Sequence, residues 1–437
     1  MKRRPIAFTP CEQVWEILAE LSPEKFGHVL KDPGSYVFVC EKAAYGLRDA
    51  PLLWHLKAIE ILQQHGYKPL LHDSCTFILR DEASHRLLSI LTLHVDDLLM
   101  AARRQHVLQL QKQLSLVFGE LSMDIGNFKH FGVDIDQDIT ANEITASQSK
   151  YIADLKDIEI PTRCLKTAEA PPEKVTEFRA LVSAVAWVGV TSPFAITAAS
   201  ILQGCLPKPT WGDIVKLNSN LQQLREIYTP LVYRRIPGPH RLISVGDSSF
   251  ANSGKYSQGG FLTLLCQEND SKLCGPFCLL DFKSNKSKRV ATSTMHAEAL
   301  AMVNGLETST YIQSYLLEVA KPGLTAMNLL SPESFPEMIQ IVSVTDCEDL
   351  YSSVTAPAQA SCANKHLALY IAAIREMKAS KIIKAFAWAD TRGLVANALT
   401  KLQDSGLCET AELLPALKIF DWKLKHPYQW DTVWCTE

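Results

Sequence analysis

The chain has 437 residues, 47% of them hydrophobic, which is enough to bury more than one core and predicts about two or three domains. Its formal net charge of −3 at pH 7 excludes a strongly basic protein whose overall field would attract nucleic acid, so any such binding must come from local Lys and Arg. The twelve cysteines contain no Cys-x-x-Cys pair, which favours free thiols in a reducing compartment over a zinc site or disulfides.

Neither the start of the chain nor its most apolar stretch has the pattern of a membrane-directing segment. The first residues are basic but no apolar run follows them, so no signal peptide is predicted. Residues 181–202 are apolar but are interrupted by Thr191, Ser192 and Pro193, which predicts two packed helices and no transmembrane helix. We therefore expect an intracellular protein, cytoplasmic, nuclear or both, without a membrane partner.

Residues 1–155 mix helical periodicity with β-rich runs bounded by turn signals. The predicted elements are, in chain order, a helix at 52–65, strands at 76–79, 86–94 and 98–101, a helix at 105–118, strands at 130–135 and 143–146, and a helix from 148. A helical connection is predicted for residues 156–236, with helices at 178–190, 194–202 and 211–224. A proline-rich break at 168–173 lies within it, and loop signals at 237–239 end it.

Residues 237–405 have the element order of a second α/β domain, followed by a C-terminal tail at 406–437. The predicted elements are strands at 241–245, 259–266 and 277–282, a helix at 295–319, a strand at 339–344, a helix at 364–379, a strand at 382–388 and a helix at 394–402. Three antiparallel strands followed by alternating helices and strands predict a mixed five-stranded sheet covered by helices. The fold class predicted for the whole chain is α/β with α+β character.

Three acidic residues of this domain occupy positions at which a carboxylate is costly or unusual. Asp247 and Asp346 each continue the apolar face at the end of a predicted strand, where a charge is destabilising unless a cation compensates it. Glu298 lies on a predicted helix among small and apolar residues. Two neighbouring strand ends and a covering helix would bring the three carboxylates together around Mg²⁺ or Mn²⁺. Two such ions ~4 Å apart activate water for phosphodiester hydrolysis.

Each of these acids also has an ordinary structural explanation. Asp247 could cap the turn into Ser248 and Ser249, and Glu298 could be a solvated residue of a helix. The order of the three acids and the elements on which they lie together favour a metal site.

The first segment contains a second pair of candidate metal ligands. Asp96 and Asp97 lie between two apolar runs, which predicts two acids at the tip of a hairpin that either bind Mg²⁺ or form a solvated turn. The upstream run YGLRDAP has a glycine that permits close approach of the backbone to a nucleotide and an arginine that can contact phosphate. The nucleotide-binding residues predicted in this run are Tyr45, Gly46, Arg48 and Pro51.

Several runs of sequence resemble the Pol polyproteins of copia-type LTR retrotransposons. Residues 242–402 resemble the RNase H domain through SVGDSSFANS, LLDFKSNKSKRVATSTMHAEALAM, IVSVTDCEDLYS, NKHLALYIAAIREM and WADTRGLVANALTK. The runs YGLRDAP and LHVDDLL resemble the palm of the reverse transcriptase, and FKHFGVDI, ITASQSKYIADL and FRALVSAVAW extend the match. The resemblance implies a partial reverse-transcriptase palm and thumb, a helical connection and an RNase H domain.

The resemblance also implies roles for individual residues. Asp247, Glu298 and Asp346 would be metal-binding catalytic carboxylates of the nuclease, and Asp96 and Asp97 would be metal ligands in the palm. It implies Mg²⁺ or Mn²⁺ as the cofactor and an RNA–DNA hybrid, or another nucleic acid, as the partner.

The chain departs from the family pattern at two positions of the RNase H part. Asn397 stands where the family usually has a fourth catalytic Asp, and its amide oxygen can ligate a metal but brings no charge and cannot act as a base. His296 replaces the first acid of the family's paired-acid run, whereas Glu298 keeps the catalytic one. The prediction is therefore a metal-dependent nuclease of reduced activity.

The palm also departs from the family, because no run before YGLRDAP resembles the first Asp motif of the polymerase. We therefore expect no DNA synthesis by this chain alone, and incorporation on a primed RNA template would contradict that expectation. The alternative function is that of a catalytically inactive retrotransposon relic, which acts at most as a nucleic-acid-binding or structural protein.

Overall fold

The computed structural model describes residues 6–40, 47–253, 256–268, 274–329, 335, 337–357, 364–389, 391, 394–402 and 420–421. The chain divides into two compact units, residues 1–122 and residues 123–437. The boundaries predicted after residues 155, 236 and 405 stay predictions. In the described part of the chain, no helix combines the length and the apolar character that crossing a membrane requires.

The first unit contains a four-stranded antiparallel sheet with the strand order β3-β4-β5-β6, and β1 pairs with β2. Its helices and strands are β1 (Ile6–Phe8), α1 (Glu12–Leu21), α2 (Pro23–Phe26), β2 (Phe38–Cys40), α3 (Ala50–Gln64), β3 (Lys68–Pro69), β4 (Thr76–Arg80), β5 (Leu87–His94), β6 (Asp97–Ala102) and α4 (Arg104–Phe118). Leu91 and Leu93 alternate along β5 on its buried face. They form one core with Leu62 of α3 and Leu110 of α4, so both helices cover the same sheet.

The described part of the second unit contains two main sheets, of five and four strands, a two-stranded sheet and a helical layer. Its elements are β7 (Phe128–His130), β8 (Val133–Asp138), β9 (Glu143–Ser147), α5 (Ser149–Asp154), α6 (Pro172–Val188), α7 (Pro193–Gln203), α8 (Trp211–Ile227), β10 (Leu231–Arg234), β11 (His240–Ser253), β12 (Tyr256–Gln267), β13 (Cys274–Gly275), β14 (Phe277–Lys286), α9 (Thr294–Ala320), α10 (Ala326–Leu329), β15 (Gln340–Thr345), α11 (Glu348–Thr355), α12 (Lys365–Ala379), β16 (Ile383–Trp388) and β17 (Phe420–Asp421). A short 3-10 helix, Val395–Leu399, follows β16, and β13 pairs with β17.

The larger sheet has five strands in the order β14-β12-β11-β15-β16. The pairs β14/β12 and β12/β11 are antiparallel, whereas β11/β15 and β15/β16 are parallel. One side of the sheet packs on α9, α11 and α12, and the other packs on the 3-10 helix and on part of α7. The predicted mixed five-stranded sheet with covering helices is therefore confirmed, and with it the α/β fold class.

The smaller sheet has the order β10-β9-β8-β7, so β10 returns after the helices to pair with β9. Between them, α6, α7 and α8 form a separate apolar core. The apolar stretch 181–202 is divided as expected, because α6 ends at Val188 and α7 begins at Pro193. The Ser192 hydroxyl caps α7 by accepting a hydrogen bond from the Ala195 backbone N–H.

Three predicted elements differ from the structure. The strand predicted at 130–135 is two strands, because Phe131 and Gly132 have positive φ angles of 46° and 74° and form the turn between β7 and β8. The strand predicted at 241–245 continues to Ser253, since its polar second half keeps pairing with β12. Of the helix predicted at 394–402, the described residues form only the 3-10 turn. The pattern also missed α11, which is short.

Candidate metal centre

Asp247, Glu298 and Asp346 form one group, hereafter the carboxylate cluster, in which one oxygen of each lies within 4.8 Å of the others. Asp247 and Glu298 are buried, and Asp346 is half-buried. Among the described residues, this is the only set of three or more His, Cys, Asp or Glu side chains close enough to share a metal ion. The structure thus brings together the three acids singled out in the sequence.

The backbone explains why the two aspartates meet. The parallel pairing of β11 with β15 ends at Val245 opposite Val344, so Asp247 and Asp346 each follow two residues beyond the same pair. Asp346 comes directly after β15, as predicted, but Asp247 lies inside β11, where it pairs with Gly260 of β12. The expectation that Asp247 ends its strand is therefore wrong, because β11 continues along β12 after it has parted from β15.

Glu298 reaches the cluster from the second turn of α9. That helix passes close to β11 because Gly246 has no side chain, and a Cβ there would lie 3.1 Å from the Cα of Met302. Ser293 caps the helix by accepting a hydrogen bond from the backbone N–H of His296.

Burial and repulsion by neighbouring acids disfavour ionisation of Asp247 and Glu298. Burial, together with the charge of Asp346, raises the pKa of Asp247 to about 6, although the hydrogen bond from Thr400 opposes the shift. Burial, followed by the charges of Asp247 and Asp346, raises the pKa of Glu298 to about 9. In addition, Oε2 of Glu298 is buried and has no hydrogen-bond partner among the described residues. A hard divalent cation would supply the missing partner and favour the ionised acids, so the donor set fits Mg²⁺ or Mn²⁺.

Two residues that the sequence analysis did not select contact the cluster or its backbone. The Thr400 hydroxyl donates a hydrogen bond to Oδ2 of Asp247, and the Trp388 indole N–H donates to the backbone oxygen of Asp346 at 3.1 Å. Both residues lie in the run WADTRGLVANALTK, but neither side chain is charged and the resemblance assigned neither of them a role.

The two residues that depart from the family pattern lie on the 3-10 helix and on α9. Asn397 is half-buried on the 3-10 helix, and its amide N–H donates to the Thr391 backbone oxygen at 2.7 Å. His296 is buried on α9, and its Nδ1 accepts a hydrogen bond from the Thr292 N–H at 3.3 Å. Burial lowers the pKa of His296, and electrostatic repulsion by His366 lowers it further by a smaller amount.

The predicted acids of the first unit lie at the tip of the β5–β6 hairpin. His94 pairs with Asp97, and Val95 and Asp96 form the two-residue loop, with Val95 at a φ of 53°. Asp96 and Asp97 are both exposed, and no third described acid, His or Cys joins them at metal-sharing distance.

Of the predicted nucleotide-binding residues, two can be placed. Arg48 is exposed before α3, and the exposed Pro51 lies in its first turn. Tyr45 and Gly46 lie outside the described residues.

The first part of the chain matches a known protein family. Residues 24–169 match the family described as reverse transcriptase (RNA-dependent DNA polymerase). The Retrovirus-related Pol polyprotein from transposon RE1 of Arabidopsis thaliana is 23% identical over 308 residues, which cover 67% of this chain and 20% of that polyprotein. The Retrovirus-related Pol polyprotein from transposon TNT 1-94 of Nicotiana tabacum is 29% identical over 123 residues, which cover 27% of this chain and 9% of that one. The chain thus spans about a fifth or less of these relatives.

Solved structures also match the chain. RNase H1 from the archaeon Halobacterium salinarum NRC-1 matches with a TM-score of 0.25 and 12% identity, over 37% of this chain and 94% of that one. The foamy viral protease-reverse transcriptase in complex with dsDNA matches with a TM-score of 0.19 and 11% identity, over 84% of this chain and 63% of that one.

The chain is an α/β protein in which residues 24–169 match the reverse transcriptase family. More particularly, it is similar to the Pol polyproteins of copia-type retrotransposons, which confirms the resemblance seen in the sequence.

Proposed function

We propose that the domain predicted for residues 237–405 is a divalent-metal-dependent nuclease that cleaves the RNA strand of RNA–DNA hybrids. The observation that carries the proposal is the carboxylate cluster, three acids from β11, α9 and the end of β15 within 4.8 Å. Its position in a five-stranded sheet with the order β14-β12-β11-β15-β16 agrees with the RNase H resemblance of the sequence.

The residues of the cluster would hold the metal through carboxylate oxygens, which hard divalent cations prefer. When bound, two such ions supply an activated water and stabilise the leaving oxygen of the phosphodiester. Glu298 must give up a proton for this role, since its pKa is raised to about 9 by burial and by its acidic neighbours. The hydrogen bond from Trp388 holds the backbone at Asp346, which is the most exposed of the three acids.

The test is cleavage of a hybrid labelled on its RNA strand by the full chain with Mg²⁺ or Mn²⁺. We expect cleavage by the wild-type chain and a loss of about 100-fold or more in Asp346→Asn, since that variant loses one ligand charge without a change of volume. The matched control is Asp349→Asn, which removes the same charge from an exposed position on α11. Equal rates in wild type and Asp346→Asn, or no cleavage with either metal, would overturn the proposal.

One observation favours the alternative, a catalytically silent nucleic-acid-binding protein. Asn397 contributes no carboxylate, and its amide N–H is already bonded to the Thr391 backbone. Binding of the hybrid without cleavage, unchanged by Mg²⁺ or Mn²⁺, is the outcome that would support this reading.

A further inference from the structure

Next to the carboxylate cluster, Leu399 and Thr400 form a segment that passes over a row of three residues on the five-stranded sheet. Asp247, Gly260 and Ser284 lie side by side on β11, β12 and β14, because Gly260 pairs with both of the others. Residues in register on neighbouring strands present their side chains on the same face of a sheet. Leu399 and Thr400 pass over this row, and each is bonded to one end of it.

At one end of the row, Thr400 contacts the acid. Its hydroxyl lies within hydrogen-bond distance of two acceptors, Oδ2 of Asp247 and the Asn397 backbone oxygen, the latter at 3.1 Å. A hydroxyl has a single proton to donate. When Asp247 is ionised, the bond to the carboxylate is the stronger of the two because it is charge-assisted. Thr400 is completely buried, so no water competes for this bond.

At the other end, Ser284 holds the segment in place. Its hydroxyl donates to the Leu399 backbone oxygen at 2.6 Å. Between the two bonds, the segment lies against the backbone of Gly260, where a Cβ would be only 2.4 Å from the Cβ of Leu399. The glycine therefore permits an approach that any other residue would block.

The hydroxyl of Ser284 is itself held by a buried amide. Nε2 of Gln258 donates to Ser284 Oγ at 2.9 Å and to Ser200 Oγ of α7 at 2.8 Å. Gln258 and Ser284 are both buried, so each bond is worth more than it would be in water. A continuous set of hydrogen bonds thus leads from α7 to the segment that bonds Asp247.

We propose that Thr400 is a positioning residue for Asp247 and that Gln258 and Ser284 hold it in place. The proposal rests on the metal centre proposed above. Thr400, at the end of the 3-10 helix, would then contribute a neutral hydroxyl to the site. The resembling family usually contributes a fourth carboxylate from this region, at the position of Asn397. A hydrogen bond to a ligating carboxylate fixes the direction of its lone pairs, and loss of such a partner typically weakens metal binding by about 10- to 100-fold.

The test compares Thr400→Val, which keeps the shape but removes the hydroxyl, with Thr400→Ser, which keeps the hydroxyl. Mn²⁺ binding by the full chain is measured as the component that Asp346→Asn abolishes, so that ions bound elsewhere do not count. We expect Thr400→Val to weaken this component by about 10- to 100-fold and Thr400→Ser to remain near wild type. For cleavage of the hybrid, we expect kcat to fall while KM stays unchanged.

The matched control is Thr263→Val. Thr263 is equally buried and its hydroxyl bonds to Ser309 at 2.8 Å, away from the acids. The Thr263→Val variant should be less stable than wild type but bind Mn²⁺ with the same affinity. This result would distinguish a positioning role of Thr400 from a general effect of hydroxyl loss on folding.

The outcomes separate the two proposals. Wild-type Mn²⁺ affinity in Thr400→Val overturns the positioning role and leaves the metal centre standing. A binding curve identical in wild type and Asp346→Asn overturns the metal centre, and the positioning role with it. Should Thr400→Val fail to fold, Ser284→Ala decides: a several-fold weaker affinity supports the proposal, and an unchanged one overturns it.

Discussion

Two buried carboxyl groups, those of Asp247 and Glu298, lie beside a third acid in the carboxylate cluster, so their ionisation costs free energy. Their pKa values are raised to about 6 and about 9, with burial as the first cause in both. An acid whose pKa is higher in the folded than in the unfolded chain stabilises the fold fully only below its unfolded pKa. That stability is lost as the pH rises, through about 6 for Asp247 and through about 9 for Glu298.

We therefore predict that the metal-free protein becomes less stable between pH 5 and pH 9, by on the order of several kcal/mol. Glu298→Gln mimics the protonated acid, so it should flatten this slope and be more stable than wild type at pH 9. Urea unfolding in the presence of a chelator, at pH 5, 7 and 9, measures both effects.

The control for this prediction is Glu307→Gln, on the exposed side of the same helix. It should keep the slope of the wild-type protein. Mg²⁺ should restore stability at pH 9 to the wild type but not to Glu298→Gln, because the metal binds the ionised cluster of the folded state alone. Equal slopes in wild type and Glu298→Gln would show that Glu298 ionises freely in the fold.

At the scale of helices and strands, elements with a periodic apolar pattern could be predicted from the sequence. Contacts between residues that are distant in sequence could not. The β5–β6 hairpin and α9 follow from alternating or helical apolar residues, and both formed close to the predicted limits. The turn at Phe131 and Gly132 was missed, because Phe131, Val133 and Ile135 alternate with other residues as they would in one continuous strand.

The same distinction applies to the candidate site. Asp247 and Asp346 could be selected because a carboxylate that continues an apolar strand face is costly there. Glu298 could be selected because it lies on a helix among small and apolar residues. Thr400 could not, since its hydroxyl is ordinary in sequence and its partner Asp247 lies 153 residues away.

The close approach of the 3-10 helix to β12 gives a prediction at this scale. Gly260→Ala places a methyl group 2.4 Å from the Cβ of Leu399, which must move away from the sheet. We expect a loss of about 1 to 3 kcal/mol in unfolding free energy. We also expect weaker Mn²⁺ binding, because Thr400 moves with Leu399.

The adjacent glycine is the matched control for that substitution. At Gly259, a Cβ would lie 3.6 Å from the Cβ of Ala301, which is ordinary contact, so Gly259→Ala should change neither property by much. Urea unfolding and Mn²⁺ titration of both variants make the comparison. If Gly260→Ala destabilises the chain without affecting Mn²⁺ binding, the segment can shift without moving Asp247.

At the scale of the whole molecule, strand pairing joins segments that the sequence patterns assign to different predicted domains. The helical connection and the strands before it look separate in sequence, yet β10 pairs with β9 through Leu231 opposite Ala146. Buried residues of that sheet, Val133, Ala146 and Leu231, share a core with residues of the larger sheet. Removal of β7, β8 and β9 would therefore expose the edge of β10 and part of that core.

This arrangement predicts which fragment folds on its own. Residues 123–437 form a compact unit, so this fragment should unfold cooperatively and retain the Mn²⁺ binding that Asp346→Asn abolishes. A fragment of residues 156–437, cut at the boundary suggested by the sequence, lacks β9, the strand with which β10 pairs. It should be less stable by several kcal/mol or aggregate, because buried apolar surface becomes exposed. Circular dichroism during urea unfolding, with Mn²⁺ titration of each fragment, decides between the two boundaries. Equal stability of both fragments would show that the smaller sheet is dispensable for the nuclease domain.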